Sequence, residues 1–202
     1  MERINLNATY TERWFRQRPK LSWRTEPFCD AVWQTLGPFK TLIDLGCGIG
    51  EFVAYFHNTR DVLAAGYDGS ENSLAHMASG ATIYLHDLRT PLGWWSYRTI
   101  DLCMCLEVAE HIEPEFADVI VDNCCSISDL ILFTAAPPGQ EGLGHVNLQK
   151  PEYWFKKFKE RGYTHRYDKV VELRNRLANW QHKKGIKAYY DNAMVFEKWT
   201  SP

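Results

Sequence analysis

The sequence predicts an α/β fold in which a largely parallel sheet is covered by helices on both faces. Three observations carry this reading. Short apolar runs alternate with stretches of helical periodicity between residues 41 and 135, the pattern of repeated βαβ units. The first run, Thr41-Leu-Ile-Asp-Leu45, passes directly into glycines at 46, 48 and 50, followed by an apolar-periodic segment. At 202 residues the chain is long enough for one domain with a proper core and too short for two ordinary ones.

The elements follow in order. Pro27 to Leu36 reads as a short helix stopped by Gly37-Pro38. After the strand at 41–45, Glu51 to Asn58 is a helix with Phe52, Val53 and Phe56 on one face. Val62 to Tyr67 is a second strand ending at Asp68, and a helix from about Ser70 to Ser79 has Ser70 as its N-cap. Ala81 to Leu85 is a third strand and Ile100 to Leu106 a fourth, joined by a loop containing Pro91 and the Trp94-Trp95 pair. Glu113 to Cys125 is helical, and Asp129 to Ala135 is the fifth strand. The turn-rich loop Pro137-Pro-Gly-Gln-Glu-Gly-Leu-Gly144 is the type that carries function on a rigid scaffold. Helices are then expected over Lys150–Arg161 and Lys169–Lys184, the latter with Val170, Leu173, Leu177 and Trp180 on one side, before a last strand over Asn192–Trp199. Residues 1–37 read as an N-terminal helical cap, 38–140 as a ligand-binding core, and 141–202 as a substrate-side loop with C-terminal elements.

Composition narrows the class. No run of 18 apolar residues offers a membrane span, and the N-terminus has no apolar core of a secretory signal, so a cytoplasmic protein is the expectation. None of the six cysteines (29, 47, 103, 105, 124, 125) forms a C-x-x-C pair, which suits buried thiols better than a disulfide frame or zinc site. The net charge of -2 conceals basic ends around an acidic centre. Residues 1–24 carry six Lys/Arg against two Glu and residues 149–202 thirteen against six, while residues 25–148 carry four against seventeen. Such ends are solvated helix faces or a basic rim for an anionic substrate.

In a parallel sheet of this kind ligands sit outside the carboxyl ends of the strands. The glycines after the first strand are in that place, and their spacing is G-x-G-x-G rather than the G-x-G-x-x-G of a dinucleotide site. Glu51 stands at the helix start where a pyrophosphate would lie, and Asp44 precedes the glycines, so the surroundings favour a cation over phosphates. Asp68 is placed to accept both hydroxyls of a ribose, and Asp87, at the end of the third strand, to accept an adenine amino group. An aspartate at a strand end also serves as helix cap or turn former, and it is the set that outlines a nucleoside with an amino-acid tail.

Taken in order, Asp44-Leu-Gly-Cys-Gly-Ile-Gly50, Tyr67-Asp68, His86-Asp87-Leu88 and Leu106-Glu-Val-Ala-Glu-His-Ile112 resemble the successive motifs of class I S-adenosylmethionine-dependent methyltransferases of the small-molecule, sugar and quinone type. The resemblance covers about residues 38 to 140. It implies a Rossmann-like, doubly wound seven-stranded sheet, mostly parallel with an antiparallel last strand. It implies S-adenosyl-L-methionine as cofactor, with Asp44, Gly46, Cys47, Gly48 and Gly50 around the methionine moiety, Asp68 and Gly69 at the ribose, and Asp87 with Leu88 at the adenine. Leu106 and Glu107 would border the methyl donor, and Tyr10 and Trp14 would close the site from the N-terminal segment.

Methyl transfer is an in-line displacement, so the protein must align the acceptor and, for a hydroxyl, remove its proton. Two histidines near the ends of strands four and five are candidates for that base. His145 lies on the glycine-flexible loop, with Asn147 and Gln140 as polar partners, and His111 lies in the Glu107-Val-Ala-Glu-His-Ile112 segment, where it can equally tie down a helix start. Glu107, Glu110 and His145 could invite a metal, but no spacing requires one, and none is expected. The Asn-Pro-Pro-Tyr type motif of amino methylases is absent after strand four, where Cys105-Leu-Glu-Val stands. The expectation is therefore O-methylation of a small molecule or glycan-like acceptor, whose pocket is shaped by the Trp94-Trp95 loop, the 137–147 loop and the C-terminal helices. Two alternatives are a nucleic-acid methyltransferase gripping phosphates with the basic, aromatic tail, and a non-catalytic cofactor-binding subunit.

Overall fold

The computed structural model describes residues 5–93 and 100–199, so the Trp94-Trp95 pair lies outside the described residues. Two one-turn helices, α1 (Leu6–Thr9) and α2 (Glu12–Phe15), and a 3₁₀ segment over Arg18–Arg24 precede α3 (Thr25–Leu36). The chain continues through β1 (Thr41–Leu45), α4 (Glu51–Arg60), β2 (Leu63–Asp68), α5 (Glu71–Ala75), β3 (Ile83–Leu85) and β4 (Leu102–Leu106). Then come α6 (Ala117–Ile127), β5 (Leu130–Thr134), α7 (Pro151–Glu160), β6 (Tyr163–His165), α8 (Tyr167–Leu177), α9 (Lys187–Asn192) and β7 (Met194–Lys198).

The strands form one seven-stranded sheet in the order β3-β2-β1-β4-β5-β7-β6. All pairings from β3 to β5 are parallel, and β7 runs antiparallel to both β5 and β6. Strand order reverses between β1 and β4, so the crevice outside their carboxyl ends is the topological switch point where such sheets bind ligands.

Alternation along the central strands sends neighbouring residues to opposite layers. Leu42, Leu102, Met104 and Leu132 pack with Phe28, Val32, Phe56 and Leu173 from α3, α4 and α8. Ile43, Leu45, Cys103, Cys105 and Phe133 pack with Ile120, Cys124, Trp154 and Phe158 from α6 and α7. All six cysteines are free thiols, and five are buried.

Several boundaries differ from the sequence reading, each for a tertiary reason. The helix expected over Ser70–Ser79 ends at Ala75, because the Ala78 N–H turns away to donate to the Ile49 carbonyl at 2.8 Å. The helix expected over Lys169–Lys184 stops at Leu177 and continues as a 3₁₀ turn to Trp180. Arg174 donates to the carbonyls of Tyr190 and Asp191 at 2.8 and 2.6 Å, which folds α9 back on α8. The helical cap expected over residues 1–37 is broken into one-turn α1 and α2 and a 3₁₀ segment before α3, while the three-residue β6 and the six-residue α9 were not foreseen; elements this short carry no periodicity. Among the described residues no helix is long and apolar enough to cross a membrane.

Candidate functional site

A cavity of about 250 Å³ opens at the switch point. Its floor is the glycine turn after β1. Gly46, Gly48 and Gly50 all have positive φ, the left-handed region that glycine reaches without strain. They differ in what the absent side chain permits. At Gly46 a Cβ would meet Val108 at 2.3 Å and at Gly50 it would meet Ala81 at 2.8 Å, so both allow the turn to pack. A Cβ at Gly48 would meet nothing within 4 Å, which leaves its backbone open to a ligand.

Asp68, at the end of β2, accepts the N–H of Gly48 at 2.8 Å and of Ser70 at 2.9 Å. Each carboxylate oxygen keeps lone-pair capacity for a further donor. Burial raises its pKa to about 6, against the lowering effect of the two backbone donors and Arg18. Asp87 also lines the cavity, but Arg89 already grips its carboxylate through Nε at 2.8 Å and a terminal nitrogen at 2.9 Å. Arg89 reaches on to Glu113 at 3.1 Å.

The N-terminal segment closes the cavity. Tyr10, Trp14 and Gly69 line it together with Leu88, Leu106, Glu107 and His111. The Asn5 side chain caps α1 by accepting the Ala8 N–H at 3.1 Å, and Asn72 donates to the Tyr10 carbonyl at 2.8 Å, which docks the segment onto α5. Burial raises the Tyr10 phenol's pKa well above its usual range.

Two arginines of this segment were not anticipated. Arg24 is buried and donates Nε and a terminal nitrogen to one oxygen of Glu51, the Nε contact at 2.8 Å. The anion read from the sequence as repelling phosphate is therefore neutralised by a cation from 27 residues earlier. Arg18 lines the cavity, lies 4.6 Å over the Trp14 ring, and makes no ion pair among the described residues. Its Nε is buried and has no hydrogen-bond partner among the described residues. Only the basic bias of residues 1–24 could have pointed to either. Tyr189, Gly185 and Ala188, the cavity's C-terminal wall, gave no sequence signal.

Three residues of the anticipated set stand off the cavity wall. Asp44 is buried beneath the glycine turn, where burial and the nearby Asp68 push its pKa well above the carboxylate range. Cys47 and Gly50 face inward, Cys47 against the position a Cβ on Gly66 would take. His145 is the fourth candidate off the wall. The N–H groups of Val146 and Asn147 both donate to the Glu110 carbonyl, at 2.9 and 3.0 Å, and draw the loop behind the 109–111 turn. His145 therefore packs edge-on against His111, with ring centroids 4.7 Å apart, and His111 takes the wall position. Burial lowers the His111 pKa to about 4, with His145 adding to the effect, so this imidazole is neutral near pH 7.

Glu107 holds a strained left-handed backbone, φ 55°. Its N–H donates to Thr134 Oγ1 at 2.8 Å, and its carboxylate accepts Gln140 Nε2 at 3.1 Å and Asn192 Nδ2 at 3.0 Å. This network ties the end of β4 to the 137–147 loop and to α9. Gln140 meets His145 through its backbone carbonyl, while the Asn147 amide bonds the Ala109 carbonyl rather than His145.

No family model and no curated protein matches the sequence. Solved structures do match by shape. CalS10, an amino pentose methyltransferase from Micromonospora echinaspora solved with S-adenosylmethionine bound, aligns with TM-score 0.66 at 14% identity, covering 98% of this chain and 100% of that one. Phosphoethanolamine N-methyltransferase 2 of Haemonchus contortus, also solved with S-adenosylmethionine, aligns with TM-score 0.63 at 16% identity, covering 96% of this chain and 59% of that one. This chain thus spans 59% of the length of the Haemonchus enzyme. The chain has the class I methyltransferase fold. SpnF, a [4+2]-cyclase, aligns with TM-score 0.57 at 14% identity, covering 86% of this chain and 81% of that one, so activity must be argued from the site rather than the fold.

On this methyltransferase fold much of the C-terminal basic charge is spent within the chain. Arg166 pairs with Asp168 and Glu197, Arg176 with Glu172, and Arg161 and Lys157 with Asp118. That leaves less free charge for phosphates than the composition suggests.

Proposed function

We propose that this protein is an S-adenosylmethionine-dependent methyltransferase acting on a small molecule or glycan-like hydroxyl. The observation that carries the reading is the presence, in one cavity, of Asp68 and of the Arg18 guanidinium, which makes no ion pair among the described residues. A nucleoside with an amino-acid tail needs both: a carboxylate to accept ribose hydroxyls and a cation for its α-carboxylate. Gly48 permits close approach of that tail, and Leu6, Leu88 and Ile112 supply apolar wall for a base. When bound, the cofactor supplies an electrophilic methyl group.

The chain's own residues bind, orient and shield. Asp68 and Arg18 grip the two polar ends, Gly69 and Asp87 flank them, and Tyr10 and Trp14 exclude water from above. Leu106 and Glu107 border the donor end. The His111–His145 pair stands there too, and we assign acceptor alignment and proton removal to it, with His111 at the wall and His145 behind. A nucleic-acid acceptor and a non-catalytic subunit are the competing readings.

Isothermal titration with S-adenosylhomocysteine tests the cofactor assignment. Binding by the wild-type chain is expected, and Asp68→Ala should weaken it by roughly 10- to 150-fold, the cost of losing bonds to a charged group. No binding by the wild-type chain overturns the proposal. Turnover on hydroxyl-bearing acceptors that falls in His145→Ala, with cofactor affinity kept, supports the histidine assignment, and an unchanged rate removes it.

A further inference from the structure

Just behind the His111 wall, three side chains converge from two segments. One ligand atom each of Glu110, His111 and His145 lies within 4.8 Å of the other two. Glu110 is fully buried, and among the described residues neither of its carboxylate oxygens makes a well-formed hydrogen bond; burial and the neighbouring Glu107 carboxylate push its pKa well up, against the weaker pull of the Glu110 and Ala136 backbone N–H groups. Its one ion-pair contact among the described residues is His111 Nε2, at 4.0 Å. A buried carboxyl with so little compensation beside a second carboxylate is costly to ionise, and a cation in its reach removes that cost.

The imidazoles are arranged to receive such a cation. The Gln140 carbonyl can only accept, so its 2.8 Å contact puts the His145 proton on Nδ1 and leaves the Nε2 lone pair free. A backbone carbonyl behind an imidazole is the usual device for aiming a metal-binding histidine. His111 Nδ1 is buried and makes no well-formed hydrogen bond among the described residues, with the Gly144 backbone its nearest polar neighbour. Ligand atoms about 2.1 Å from one ion stand roughly 3 to 3.5 Å apart, so the present spacing needs only side-chain rotations to close.

We propose that Glu110, His111 and His145 form a binding site for a divalent first-row transition cation. Two imidazoles and one carboxylate favour such an ion over magnesium or calcium, which prefer all-oxygen sets. Of the three residues only His111 lines the cavity, so an ion here would adjoin the acceptor side, and with both imidazole lone pairs engaged it would be the ion, in place of a free histidine, that lowers the pKa of an acceptor oxygen within its reach. That use of the ion rests on the methyltransferase reading, whereas its binding does not.

The test is titration of chelator-treated full-length protein with Zn²⁺ and with Co²⁺, followed by calorimetry and by the cobalt visible spectrum. One ion per chain is expected, with a spectrum of nitrogen and oxygen ligation. Glu110→Gln and His145→Ala should each weaken binding about tenfold or more while S-adenosylhomocysteine affinity stays near wild type. If Glu110→Gln fails to fold, Gly142→Ala serves, since its Cβ would stand 2.4 Å from His145 Nε2 and displace that ring. No ion bound by the wild-type chain, or equal binding by the variants, overturns the site. Metal binding without cofactor binding leaves the site standing and overturns the methyltransferase reading instead.

Discussion

Asp68 and Arg18 answer to different parts of the same ligand, so they can be separated experimentally. Arg18→Met should weaken S-adenosylhomocysteine by about ten- to a hundredfold and leave 5′-methylthioadenosine, which lacks the α-carboxylate, within a factor of about 3 of wild type. Equal loss for both ligands would show that Arg18 acts on the fold and not on the tail. Asp68 gives a pH signature. Its pKa of about 6 means the free protein holds a neutral carboxyl below that pH, while hydroxyl donors bind the charged form. Affinity should therefore be level above about pH 7 and fall by about tenfold per unit well below 6. Calorimetry across that range, with proton release on binding at low pH, checks it; a flat profile would remove Asp68 from the ligand. Asp68 was legible in the sequence because a strand end has a defined position in a parallel sheet. Arg18 was not, since it lies in a 3₁₀ segment whose placement over the cavity is a long-range event.

At the scale of elements, the N-terminal segment and α4 are joined through Arg24 and Glu51. The pair is buried, with Arg24 also lying over the rings of Phe52 and Tyr189 at 5.6 and 5.4 Å. Removing one partner leaves the other charge uncompensated in the core, at a cost of about 3–5 kcal/mol. Arg24→Met or Glu51→Gln should lower stability by that order in urea unfolding, and Arg24→Met combined with Glu51→Leu should recover much of it. If the single variants unfold like wild type, the pair is not what holds the segment to α4. The sequence showed Glu51 as a helix-start acid but could not show its partner. The same limit explains α5, α8 and α9. Their ends are set by Ala78 bonding Ile49 and by Arg174 bonding the 190–191 carbonyls, contacts no local pattern records.

For the whole molecule, the sheet order and its switch point decide which loop ends meet. The turns after β1 and β4 face one crevice; the glycine turn, Asp68 and Asp87 were read from strand ends converging there, and Leu88, Leu106 and Glu107, which the family resemblance implied, line it with them. The metal titration tests the counterpart, a cluster assembled from the turn after β4 and the loop after β5. There the sequence placed His145 toward the acceptor, while the Glu110 carbonyl draws its loop back behind His111.

The sequence by itself determined the α/β class, the five parallel strands and the acids and glycines at their ends. Hydrophobic alternation and glycine spacing are local properties written in consecutive residues. Tertiary structure alone decided that Arg24 neutralises Glu51, that Arg18 stands over the cavity without an ion-pair partner among the described residues, and that Glu110 is buried beside two imidazoles. Each depends on side chains from distant segments meeting in a low-dielectric interior, where the absence of a partner matters as much as its presence.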